Sequence, residues 1–127
     1  MHTLSVFSDQ EELMLAAEQT VGIHNPPQVA MYKGLVDEEY GELCKAIGNG
    51  DTVEVVDGAL DLIVVCIGLL HSISPNAQEL WNEVHQSNMA KLGPDGRFIR
   101  NADGRIIKPE GWQPPAILRI LKAQGVL

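Results

Sequence analysis

Only two cysteines occur in the 127 residues, Cys44 and Cys66, and neither belongs to a Cys-x-x-Cys pair or a Cys/His cluster of the kind that binds zinc. Both fall in apolar, helix-patterned stretches, which predicts reduced, buried thiols in a cytoplasmic protein. Long hydrophobic runs are equally scarce. The longest, residues 58–70, is interrupted by Asp61 and falls short of the ~20 residues a membrane-spanning helix needs, so a buried core helix is expected and no membrane partner. The opening MHTLSVFSDQEE lacks the basic segment and apolar core of a secretory signal. Internal repeats and low-complexity tracts are missing as well.

Positive charge is the other shortage. Nine Lys and Arg stand against 17 Asp and Glu, a net charge of -8, which argues against duplex nucleic acid as a partner. The average conceals a division: positions 1–90 hold 14 acids against Lys33 and Lys45 alone, whereas positions 91–127 hold 3 acids against 7 bases. An acidic body with a basic tail suits a body that binds cations and a tail that touches phosphate.

What is present reads as helices. The length allows one domain, 1–127, with an all-α core. Ser8 and Glu11 have capping-box spacing and open a first helix over residues 9–20, with Gly22 as its stop. Residues 24–27, His-Asn-Pro-Pro, read as a loop before a second helix over 28–47, which the Gly-Asn-Gly at 48–50 breaks. Asp51 caps a third helix reaching Ser72, and Ser74-Pro75 starts a fourth running to Ala90. Turn-forming clusters at 94–96 and 101–104 then flank Phe98-Ile99 and Ile106-Ile107. A short hairpin and a last short helix are expected there.

The acids are not scattered. At about 100° per residue, Glu39 and Glu42 share an arc with Leu35, Leu43 and Ala46, the face of the second helix that should be buried. Glu38 flanks that arc. On the third helix Glu54, Asp57 and Asp61 fall at relative angles of about 0°, 300° and 340°, a narrow edge of an otherwise apolar helix. Ionised carboxylates buried without partners cost several kcal/mol each, and this half of the chain has few cations to offset them. Divalent metal ions would do so. An all-oxygen donor set suits Mg²⁺ or Mn²⁺, and the lack of a Glu-x-x-His pair disfavours a ferritin-like di-iron bundle. Two plainer readings stay open: Glu54, three residues after Asp51, can simply complete a capping box, and Glu38 can be a solvated flank.

Glu38-Glu39-Tyr40-Gly41-Glu42, followed by Glu54-Val55-Val56-Asp57, resembles the paired acidic motifs of the MazG-like all-α nucleoside triphosphate pyrophosphohydrolases. The Ser87-Asn88-Met89-Ala90-Lys91 segment, then Asp95-Gly96 and Lys108, is similar to the downstream part of small phage and bacterial members, including the MazZ-type branch. The likeness spans roughly residues 35–115. It implies a four- to five-helix bundle with a C-terminal hairpin, assembled as a homodimer or homotetramer. Glu39, Glu42, Glu54 and Asp57 would be metal ligands, with Asp61 a further ligand or a support; in several relatives Asp61 rather than Asp57 aligns with the motif's aspartate. Asn88 and Lys91 would meet the substrate's phosphates or sugar, and Lys108 would assist. Otherwise Asn88 is a helix cap and Lys91 a complement to the helix dipole. His85 is expected to be structural, and Trp81 and Trp112 core or interface residues.

The implied reaction is attack of a metal-activated water on the α-phosphorus of a nucleoside triphosphate, giving monophosphate and pyrophosphate, with two or three Mg²⁺ or Mn²⁺ ions as cofactors. Glu38 or Glu39 would accept the water's proton. The likeness leans toward a purine substrate, dGTP or GTP. Hydrolysis of phosphoribosyl-ATP or dUTP is the rival within enzymes, and a non-catalytic helical module that binds metal or a partner helix is the rival outside them. The tail is expected to fold toward the carboxylate groove.

Overall fold

Five helices and a two-stranded antiparallel ribbon make up residues 5–127, which the computed structural model describes. Residues 1–4 of the stretch read for a signal lie outside the described residues. The chain divides into two compact units, one reaching to Ala77 and the other comprising Gln78–Gly125 with Leu127.

In the first unit, α1 spans Val6–Ala16. Its cap is Ser5, three residues before the expected Ser8: the Ser8 amide donates to Ser5 Oγ (3.1 Å) and the Ser5 amide to Ser8 Oγ (3.0 Å). Ser8 is thus the inner partner of a capping box, which lets Phe7 lie within the helix and become buried. The helix also stops earlier than expected, and not at Gly22. Glu18 takes the left-handed conformation (φ 60°), while the Glu18 and Gln19 amides donate to the Leu15 and Met14 carbonyls in a Schellman closure. Gly22 (φ 79°) serves another purpose. Its amide donates to His71 O (2.8 Å), and a Cβ there would stand 3.2 Å from Pro75 Cα.

The second helix, α2, spans Pro26–Asn49 and starts two residues before expectation. Asn25 Oδ1 accepts from the Gln28 amide (3.2 Å), and both prolines fit the first turn because no partner is needed there for the hydrogen they lack. Gly50 (φ 65°) ends α2, and Asp51, accepting from the Glu54 amide (3.2 Å), opens α3, Thr52–His71. So short a turn lays α3 antiparallel along α2, their pairing being the most extensive in the unit.

Glycines set how close the two helices come. A Cβ on Gly58 would sit 3.4 Å from Leu43 Cα, and one on Gly68 would overlap the Tyr32 ring. Tyr32, Met14 and Val65 are the core of the unit, with Leu35, Val36, Leu62 and Leu69 packed around them. Phe7, Ile67 and Ala77 form a smaller cluster.

The expectation of a buried third helix holds only in part. Val65, Ile67 and Gly68 are buried, whereas Val53, Val56, Leu60, Ile63 and Val64 are exposed. Cys66 lies a 100° step outside the buried arc, and Cys44 one step past Leu43. Both cysteines are free and exposed, contrary to the buried thiols expected. Among the described residues no helix is long and apolar enough to cross a membrane.

In the second unit, α4 spans Ala77–Met89. It begins after Ser74-Pro75, because the Ser74 hydroxyl accepts from the amide of Asn76 two residues on (3.0 Å) and closes a turn. The hairpin forms as expected, β1 (Ile99–Arg100) against β2 (Ile106–Ile107), with Ile99 opposite Ile107. Phe98 instead makes a bridge with Leu92. Asn101 Oδ1 accepts from the Asp103 and Arg105 amides (3.0 Å each) and sets the turn, in which Gly104 has φ 79°. The last helix, α5, spans Ile117–Ala123; the Ala116 amide before it donates to Glu83 Oε1 (2.9 Å), and Ile120 is buried.

Candidate active site

The register that sets Tyr32 against Gly68 and Leu43 against Gly58 puts Glu39 of α2 across from Asp61 of α3. Glu39 is half-buried, its Oε2 is shut off from solvent, and that oxygen has no hydrogen-bond partner. Desolvation raises the pKa of the Glu39 carboxyl above the ordinary carboxylate value. The negative charges of Glu42, Asp61 and Glu38 and a hydrogen bond with Glu42 raise it further. Glu39, Glu42 and Asp61 therefore share one electrostatic locus, with Glu38 exposed at its margin.

One turn further along α2, Glu42 also lines a cleft of about 340 Å³ with Lys45, Ala46, Asn49, Asp51 and Glu54. Glu54 does not complete a capping box: the Asp51 amide, which its carboxylate would have to accept, donates to Ala46 O (3.2 Å). Lys45 and Asn49 are members of the cleft that the sequence reading missed. Their signal was available, since Lys45 stands three residues after Glu42 and is one of two bases in the first 90 positions. Asp57 is exposed and belongs to neither group.

Carboxylate oxygens of this kind match a hard divalent cation, and the partnerless Oε2 of Glu39 beside two like charges is the observation that favours one. Among the described residues, however, no three His, Cys, Asp or Glu side chains converge as a ready-made cage. The fit lies in donor chemistry alone.

The other expected residues occur in the second unit. Lys91 Nζ donates to Asn88 Oδ1 (3.1 Å), so the Asn88 side chain holds a lysine and does not cap α4. Lys91 Nζ lies 5.2 Å and Lys108 Nζ 4.8 Å from the centroid of the Trp112 ring. The indole is itself fixed, its Nε1–H donating to Ser87 O (2.8 Å). Trp112 was expected as a core or interface residue; it is half-buried, with two cations against its ring. Trp81 and His85 are exposed.

Two antiparallel helices presenting carboxylates to each other, in a mostly helical chain with a small C-terminal ribbon, are consistent with a MazG-like all-α bundle. The profile of the family described as Phosphoribosyl-ATP pyrophosphohydrolase matches residues 9–88, and the chain belongs to that family. Its activity is accordingly that of a nucleotide pyrophosphohydrolase, a hydrolase acting on phosphoric anhydrides. A search of curated proteins finds no significant match. The matched segment contains every acid of the α2–α3 site and ends at Asn88, before Lys91, Lys108 and Trp112.

Proposed function

We propose that the chain cleaves the α–β anhydride of a purine nucleotide, releasing pyrophosphate, in a reaction that depends on Mg²⁺ or Mn²⁺, and that a purine deoxynucleoside triphosphate such as dGTP is the substrate. The observation that carries this reading is the buried, partnerless Glu39 oxygen, set among Glu42 and Asp61 in a carboxyl whose pKa is raised by desolvation and then by those neighbouring charges. Glu39, Glu42 and Asp61 would hold the cation, with Glu54 reaching it from the adjoining cleft and Asp57 as a peripheral ligand; two or three ions are envisaged. Bound there, the cation neutralises phosphate charge and acidifies a water. Glu38 at the margin, or a Glu39 oxygen that the cation leaves free, would accept that water's proton. Asn88, Lys91 and Lys108 are the candidates for phosphate contacts.

A second reading, phosphoribosyl-ATP as the substrate, is favoured by the family whose profile matches. Both readings predict pyrophosphate as a product, and they differ in the group that leaves with the α-phosphate. Membership of a hydrolase family weighs against a non-catalytic module.

A nucleotide substrate and two free, exposed cysteines suit the cytoplasm. The open apolar strip of α3 suits a homodimer.

Pyrophosphate release from ribo- and deoxynucleoside triphosphates and from phosphoribosyl-ATP, with Mg²⁺, with Mn²⁺ and after chelation, tests the proposal. Fastest turnover of dGTP supports it. Preference for phosphoribosyl-ATP replaces the substrate, and full turnover after exhaustive chelation removes the metal.

A further inference from the structure

Lys91 follows α4 and Lys108 follows β2, yet both ammonium groups are brought over the face of one indole. Neither is paired with a carboxylate: the ion pairs among the described residues are Lys33–Asp37 and Arg119–Glu83. Like charges so placed repel, and what holds them is the negative face of the indole, helped at Lys91 by the Asn88 carbonyl oxygen. The indole is in turn anchored through Nε1 to the Ser87 carbonyl of α4.

Each ammonium carries three N–H donors. Asn88 takes one of those on Lys91, so hydrogens remain on both groups for a further acceptor. Two ammonium groups with spare donors, each held about 5 Å from the centre of one indole, have the chemistry of a receptor for a phosphate-type oxyanion carrying more than one charge. The ring surface also lines a shallow groove with Leu92, Pro94, Pro109 and Glu110, and Glu110 places one negative charge on its wall.

We propose that Trp112 is a positioning residue that sets Lys91 and Lys108 as a paired-ammonium site for the polyphosphate portion of the substrate. Identifying the anion with substrate polyphosphate rests on the pyrophosphohydrolase reading above; the ability to bind a free oxyanion does not. The ring itself makes no hydrogen bond to the anion. It fixes the separation and direction of two flexible side chains that would otherwise splay apart.

The test is calorimetric titration of the full chain with inorganic pyrophosphate, without metal or nucleotide. It is accompanied by Trp112 fluorescence in a Trp81→Phe background, where Trp112 is the one remaining indole. Pyrophosphate should bind and change the Trp112 emission as it offsets the ammonium charge held at the ring. Trp112→Leu should weaken binding roughly tenfold, close to the effect of Lys91→Ala or Lys108→Ala, whereas Trp112→Phe should restore it to within about threefold because an aromatic face is kept. Glu110→Gln should tighten it. In turnover, Trp112→Leu should raise KM much more than it lowers kcat.

Pyrophosphate affinity unchanged in Trp112→Leu, or equally lost in Trp112→Phe, overturns the positioning role. If Trp112→Leu fails to fold, the two lysine variants and the emission change decide, and silence in both overturns the site. A protein that binds pyrophosphate in this way but hydrolyses no nucleotide keeps the site and loses the functional reading. Active enzyme with wild-type affinity in every variant does the reverse.

Discussion

One oxygen of Glu39 is held where neither water nor a hydrogen-bond donor reaches it, beside two other acids. Such an arrangement works against the apo fold, because charge is gathered and desolvated without compensation. Glu39→Gln should therefore leave the metal-free protein at least as stable as wild type, and thermal unfolding with chelator present checks this. Added Mn²⁺ should raise the melting temperature of wild type clearly and that of Glu39→Gln little, since a ligand stabilises only the state that binds it. An equal rise in both would remove Glu39 from the metal site.

The locus was legible at this scale because the helical period alone puts Glu39 and Glu42 on one arc and Asp61 on a facing edge. Other residues were not legible. Cys44 and Cys66 looked buried since a pattern of apolar neighbours shows which residues are oily, and exposure depends on which of them another element covers. Trp112 was missed because a hairpin, with no period to follow, brings Lys108 to it.

Among the elements, the antiparallel pair α2–α3 carries the site, and its glycines hold the spacing. Gly68 faces the ring of Tyr32, a buried side chain whose hydroxyl donates to Gln19 Oε1, so the ring has little room to retreat. Gly68→Ala should cost about 1–3 kcal/mol or more by overpacking, although alanine is the better helix former. Denaturant unfolding would measure it, and a stability equal to wild type would mean the helices are not in close contact there. Helix ends were the least legible part of these elements. Asn25 and the two prolines read as a loop because proline usually interrupts a helix, yet in a first turn it interrupts nothing. The end of α1 escaped for another reason: Glu18 adopts a left-handed conformation that glycine favours, in a local Schellman closure that its side chain does not signal.

At the scale of the molecule, the outer face of α3 continues an apolar strip whose Ile67 end is covered by Phe7 while Leu60, Ile63 and Val64 stay open, with Val6 and Leu13 of α1 lining the same groove. A second copy covering this strip would bury it, so Leu60→Asp or Ile63→Asp should shift sedimentation from dimer toward monomer. An unchanged dimer would place the interface elsewhere, and a wild-type monomer would remove it.

The central claim is that carboxylates facing each other across α2 and α3 perform the anhydride cleavage. Its most direct test compares pyrophosphate release by wild type and Glu39→Gln at saturating substrate and Mg²⁺, using whichever nucleotide wild type turns over fastest. The account predicts a fall on the order of a hundredfold or more with the fold intact, the loss expected when a group that handles the reacting water's proton is removed. Wild-type turnover in Glu39→Gln would contradict it.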